Sequence, residues 1–130
     1  MTQIVVACIH STDELLVVRK CVEHASWRVP RLVFDASTVL DESVVASAAR
    51  THFGLEAGRE HWQFAKPVSL PAREHGRTRA LLFTAQVPTD ILEDVFCTCG
   101  NYEIQLLEYR GIGHVLSTKE AFLVQPLLPF

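Results

Sequence analysis

The stretch Asp41-Glu42-Ser43-Val44-Val45-Ala46-Ser47-Ala48-Ala49-Arg50-Thr51-His52-Phe53-Gly54 decides how the rest of the chain is read. At three- and four-residue spacing, Val44, Val45, Ala48, Ala49, His52 and Phe53 recur on one face, the mark of an amphipathic helix. Ser43, Ser47, Arg50 and Thr51 form the outward face, small and with little charge. Asp41 is a capping residue, and Glu42 with Ser43 fills the first turn, where the helix dipole favours a carboxylate. Gly54 ends the run. The spacing predicts a helix to about Phe53, packed through Val45, Ala48, Ala49 and Phe53. The same pattern makes His52 a core or boundary residue.

Outward from this helix the patterns are those of strands. Ile4 to Ile9 is an apolar, β-branched run, and Leu15 to Arg19 is a second; Ser11-Thr12-Asp13 between them makes a hairpin turn. Trp27 to Phe34 reads as extended, and Pro30 puts it at an edge or bend. Beyond the helix, Trp62 to Leu70 reads as a strand interrupted by Pro67. Arg79 to Val87 is a strong strand with Leu81, Phe83, Ala85 and Val87 on one side. Residues 90–101 are ambiguous between a helical turn and a loop. Glu103 to Arg110 is a further strand, with Ile104, Leu106 and Glu108 alternating. Ser117-Thr118-Lys119-Glu120 has capping-box spacing and opens a second, shorter helix that Pro126 stops. The reading is one domain over residues 1–130, α+β, with a mixed sheet flanked by two main helices.

Composition bounds the function. Apolar residues make up 48% and charged residues 21% of 130, ordinary for a globular domain. Such a chain buries roughly two-thirds of its unfolded surface. A net charge of -3 supplies no long-range field for nucleic acid, though a local basic patch stays open. The N-terminus lacks a basic n-region, and its apolar run is too short to span a bilayer, so no membrane role is expected. Cys8, Cys21, Cys97 and Cys99 are then expected as reduced thiols inside a cell, cytoplasmic first. An organelle stays open, since a removed targeting segment leaves no trace. Cys97-Thr98-Cys99 has no second pair at ligand spacing, so strand-end or loop thiols are the reading over a zinc site.

Several short stretches together resemble the Nudix hydrolase family. Leu15-Leu16-Val17-Val18-Arg19 is similar to its second strand. Trp27-Arg28-Val29-Pro30 is similar to the residues before its glycine pair. Glu42-Ser43 with Ala48-Ala49 is similar to its catalytic helix, Arg79 to Gln86 to its central strand, and Glu103 onward with Ser117 to Phe122 to its closing strand and helix. The resemblance implies a Nudix-like α/β/α sandwich. It also implies a signature: glycine, five residues, glutamate, seven residues, arginine-glutamate, an apolar residue, any residue, two glutamates, any residue, glycine. Aligned without gaps on Glu42, only Glu42 and Arg50 match, as a vestigial motif. Thr51 stands where a glutamate belongs, and Gly54 and Leu55 where the glutamate pair belongs. The glycine pair after Pro30 is replaced by Arg31 and Leu32.

Magnesium needs oxygen ligands, and in the resembled family those glutamates hold it against a diphosphate. With them gone the resemblance implies a degenerate Nudix box and a pseudoenzyme without catalytic, cofactor or metal residues. Magnesium would enter only if a site were rebuilt from Asp35, Asp41, Glu56, Glu60 or Glu74. Two function classes follow. One is an assembly, regulatory or protein-binding subunit, as a homo-oligomer or with a protein partner. The other binds nucleotide or RNA in the former substrate cleft, with Arg28, Arg31, Arg77, Arg79 and Trp27 as candidate ligand-binding residues. Arg73, His75, Arg59 and Lys66 are the further basic residues, with a solvated loop as the plainer reading. Trp27 and Trp62 are more readily core residues than base-stacking ones. A cleft filled by Leu32, Phe34 or Leu55 would favour the first class. An open one lined by arginine and an aromatic would favour the second.

Overall fold

The computed structural model describes residues 2–70 and 79–128, excluding the side chain of Arg79. Among the described residues, seven strands form one mixed sheet: β1 (Thr2–His10), β2 (Glu14–Lys20), β3 (Arg31–Asp35), β4 (Trp62–Val68), β5 (Arg79–Gln86), β6 (Thr98–Cys99) and β7 (Tyr102–Glu108). The order is β4-β5-β1-β2-β7-β6, with β3 also on β1. The helices are α1 (Glu42–Phe53), α2 (Thr89–Glu93), α3 (Ile112–Val115) and α4 (Thr118–Val124). None is long and apolar enough to cross a membrane among the described residues.

The sheet is covered on both faces, which is why β1 reads as an unbroken apolar run. Val5, Ala7 and Ile9 join Leu81, Phe83, Ala85 and Val45, Ala49 and Phe53 of α1 in one core. Val6 and Cys8 point the other way, to Leu82, Ile112, Leu116, Val124 and Leu128. This is the expected α/β/α sandwich: α1 on one face, α3 and α4 on the other. Burying each valine or phenylalanine of the stripe contributes about 1.5–3 kcal/mol.

β1 sits at a fork. Along one edge it pairs in parallel with β5 from Gln3 to His10. Along the other, Thr2 to Val6 pair with β3, and only His10 pairs with β2, opposite Leu15. The expected β1–β2 hairpin is therefore joined only at its turn, where Ser11 Oγ accepts from the amides of Asp13 and Glu14. β2 pairs over its whole length with β7 instead. The chain before β3 bridges the fork. Arg28 and Val18 exchange backbone bonds, then the Pro30 carbonyl accepts from Ala7 N at 2.9 Å. Pro30 thus lies where the chain passes from β2 to β1, just before β3, with only its carbonyl in the backbone pairing.

The helix boundaries match the sequence. Asp41 Oδ1 accepts from Val44 N at 2.9 Å, and Gly54 closes α1 in the left-handed region. Ser117 Oγ accepts from Glu120 N to start α4, but Glu120 does not reach back as a full capping box does. Its carboxylate goes elsewhere, as described below. Three readings need correction. Pro67 does not interrupt β4: it pairs opposite Leu81 on the edge strand, where no amide is demanded on the outer side, and the irregularity falls between Phe64 and Lys66. The stripe holds at Val45, Ala49 and Phe53 and widens to Ala46, which is also buried, while Ala48 is half-buried and packs against the core. His52 is exposed, because the last turn of α1 overhangs the fork in the sheet.

Candidate binding cleft

The parting of β2 from β3 leaves a cleft of about 400 Å³. Val18, Leu32 and Phe53 supply its apolar surface. Arg28, Arg31 and Tyr102 line it, with His52 from the end of α1 and Cys99, Gly100 and Asn101 from the β6–β7 turn. That turn is tight: Cys99 pairs with Tyr102, and Gly100 between them has φ 56°, where a side chain would be strained. The Asn101 carbonyl accepts from Cys21 N at 2.7 Å, tying the turn to the end of β2. Phe96 N donates to Phe53 O at 2.7 Å, tying the preceding loop to α1.

Among the described residues no carboxylate lines this cleft, although the chain carries 15 acidic residues. Acids gather instead at the opposite end of β2 and β7. There Asp13, Glu14, Glu93 and Glu108 border a second hollow, and Glu14 lies directly across from Glu108. Burial, then Glu93, Glu108 and Asp13, push the Glu14 carboxyl above its ordinary range. At the cleft end of the same strands Glu103 is paired with Arg19 at 2.7 Å, and Arg28 and Arg31 line the cleft.

Arg28 stands over the Tyr102 ring, 5.9 Å from its centroid, and its Nη2 donates to the Tyr102 hydroxyl at 3.4 Å. Arg31 is committed differently. Nη1 and Nη2 reach the two oxygens of Glu120 at 2.7 and 2.8 Å, and that carboxylate also accepts from Val29 N at 2.9 Å. The pair is buried, with side-chain exposures of 2% and 13%. Arg31 therefore shapes the wall and anchors α4, with its fork occupied by Glu120.

The other sequence candidates lie elsewhere. Trp27 packs against the core on the far face of the sheet, under the Arg19 guanidinium at 4.4 Å. Arg79 opens β5, away from the cleft-lining strands. Arg73, His75, Glu74 and Arg77 lie outside the described residues. Glu42 is at the first turn of α1, about 12 Å along the axis from Arg50 at 1.5 Å per residue. Arg50 is exposed and faces Glu56 at 3.5 Å, a surface pair worth little. Of the three residues that could have filled a cleft, Leu32 forms part of its lining, Phe34 packs against the core and Leu55 is wholly buried. Tyr102 and Asn101 went unread in the sequence, while His52 and Cys99 were read there only as a core or boundary residue and a strand-end or loop thiol; strand register brings Tyr102, and with it Cys99, toward Arg28. Among the described residues, no three His, Cys, Asp or Glu side chains gather in a way that could hold a metal ion.

The backbone matches solved structures of the Nudix class. The NUDIX domain of NrtR from Shewanella oneidensis, complexed with ADP ribose, superposes with a TM-score of 0.73 at 12% identity, over 96% of this chain and 84% of that one. A mutator MutT protein from Bacillus halodurans gives 0.67 at 10% identity, over 100% and 84%. The C-terminal domain of mouse MUTYH, in complex with human PCNA, gives 0.66 at 9% identity, over 96% and 86%. No protein-family sequence model matches the chain, and no curated protein sequence does. At such identities the likeness is one of fold, and the fold of this chain is the Nudix fold.

Proposed function

We propose that this chain is a non-catalytic Nudix-fold domain that works by binding, with a nucleotide-type ligand held in the cleft between β2 and β3. The observation that carries this reading is an open cleft, lined by no carboxylate among the described residues, in which an arginine stands over an aromatic ring. Such a wall suits a ligand with a flat base and an anionic tail: Tyr102 offers an aromatic ring, and the Arg28 guanidinium brings positive charge beside it. A relative of the same fold was solved with ADP ribose, which supports the ligand class.

The residues do not fit the magnesium centre of the resembled family. The outward face of α1 carries Ser43, Ser47, Arg50 and Thr51, and Glu56 is turned to Arg50. Gly54 closes the helix, which also suggests a second register for the signature. With the closing glycine on Gly54, the glutamate pair falls on Thr51 and His52, and arginine-glutamate on Ser47 and Ala48. Neither register restores a carboxylate set, so no hydrolytic step is assigned to a metal here.

Calorimetric titration with AMP, ADP and ADP ribose in the presence of a chelator tests the reading. Saturable binding is expected, weakened by about 1–3 kcal/mol in Tyr102→Ala through loss of stacking. The charge-assisted bonds of Arg28 are worth about 1.5–3 kcal/mol, so Arg28→Ala is expected to do similar damage. Heat from none of the three, with a folded chain, removes the reading.

A second reading is assembly, favoured by the C-terminal face. Leu128 is buried in the core and Leu127 packs on it, but Phe122 of α4 is 74% exposed beside Leu70 and Leu123. Phe130 lies outside the described residues. Multi-angle light scattering is expected to report a dimer or larger species, reduced toward monomer in Phe122→Ser. A monomer at all concentrations in the unaltered chain leaves self-association without support.

A further inference from the structure

Four thiols are present, and their settings differ sharply. Cys8 is buried beneath the sheet, where desolvation pushes its thiol up to about 12. Cys21 and Cys97 are exposed and lie outside the cleft lining. Cys99 is half-buried in the cleft wall, and its Sγ lies 3.7 Å from His52 Nδ1. The two side chains come from different elements, the β6–β7 turn and the last turn of α1. The Phe96–Phe53 backbone bond and the bond from Ile104 N to Cys97 O hold those elements together. With its proton on Nε2, His52 presents the Nδ1 lone pair to the thiol. A nucleophile and a base within reach of each other, opening on a cavity, are the parts of an activated thiol.

We propose that Cys99 is a modification site for soft electrophiles and hydroperoxides, with His52 as its proton acceptor. With a hydroperoxide, the sulfur attacks one peroxide oxygen, the S–O bond forms and the O–O bond breaks. Sulfur loses two electrons and becomes the sulfenic acid. The thiol proton passes through His52 to the leaving oxygen, which departs as water or alcohol. With iodoacetamide the S–C bond forms, iodide leaves, and the proton passes through His52 to solvent. The added group occupies the wall beside Tyr102 and Asn101, so modification closes the cleft to its ligand. This last consequence rests on the binding reading above; the reactivity of the thiol does not.

The test uses the full chain with limiting iodoacetamide and, separately, hydrogen peroxide followed by dimedone. The labelled cysteine is read by peptide mass mapping over time. Cys99 is expected to label before Cys21 and Cys97, and in His52→Gln its rate is expected to fall several-fold, to that of Cys21. Saturating ADP is expected to slow labelling of Cys99 alone, and the alkylated chain to lose ADP binding. Labelling of Cys99 no faster than Cys21, or a rate unmoved by His52→Gln, overturns the proposal. If ADP binds yet gives no protection, the closure of the cleft is overturned. If none of AMP, ADP and ADP ribose binds, the binding reading fails while the labelling rates still decide the thiol.

Discussion

At Gly54 the backbone has φ 70°, and a Cβ built there meets Cε1, Cδ1 and Cζ of Phe96 at 2.6, 2.7 and 2.9 Å. Gly54→Ala is therefore opposed twice, by the left-handed dihedral and by the ring. Since Phe96 is 51% exposed, its ring can swing aside, and the dihedral is then the greater obstacle. A loss of more than about 1 kcal/mol is expected in urea unfolding, with Phe96→Ala recovering only the steric part. The sequence marked Gly54 as a helix end, because left-handed closure is a local property. Its contact with Phe96, 42 positions on, was not legible. His52 teaches the same lesson in reverse. Spacing put it with the apolar stripe, which assumes that the sheet extends under the whole helix. The fork between β2 and β3 removes that support at the last turn and leaves the imidazole facing the cleft.

Among the elements, the join between β3 and α4 rests on Arg31 and Glu120. Breaking a buried, hydrogen-bonded pair strands a charge, so Arg31→Met is expected to cost about 3–5 kcal/mol. The double substitution Arg31→Met with Glu120→Leu is expected to regain most of it, because neither charge then needs a partner. Chemical denaturation of the four variants of that cycle measures the coupling. Additive losses would mean that the ion pair does not act as a unit. Both elements were legible in outline: Ser117 opens α4 by local capping, and Trp27 to Phe34 read as extended, within which β3 takes Arg31–Asp35. That Glu120 would leave the capping box for Arg31, 89 positions earlier, was not. The cleft was half legible in the same sense. Arg28 and Arg31 flank a proline read as lying at an edge or bend, whereas Tyr102 reaches Arg28 only through the pairing of β7 with β2. Nothing in the local pattern sets that register.

For the molecule as a whole, the sharpest expectation concerns chemistry. An ion that polarises phosphoryl oxygens contributes several kcal/mol to the transition state, and each ~1.4 kcal/mol is tenfold in rate. With Thr51, Gly54 and Leu55 at the signature's helix-end carboxylate positions in one register, and Ala48, Thr51 and His52 in the other, no magnesium- or manganese-dependent turnover of nucleoside diphosphate derivatives is expected. The native chain and Glu42→Gln should give equal background rates in a phosphate- or nucleotide-release assay. Robust turnover in the native chain, lost in Glu42→Gln, would show that a working centre exists. The fold does not depend on such a centre, because the stripe on α1 and the two cores need apolar residues only, and these are intact. The strand β1 carries a different consequence. Its longest partnership joins Gln3 through His10 to residues 79–86, the two segments lying at opposite ends of most of the chain. Closing so large a loop is entropically costly before any contact repays it, and contacts between distant positions slow folding. During synthesis β1 emerges before these partners: one of its edges waits for β5, and the face toward Val124 waits for α4. The nascent strand must therefore wait with one edge and one face open until those partners follow, and its exposure to aggregation belongs to synthesis rather than to the finished state.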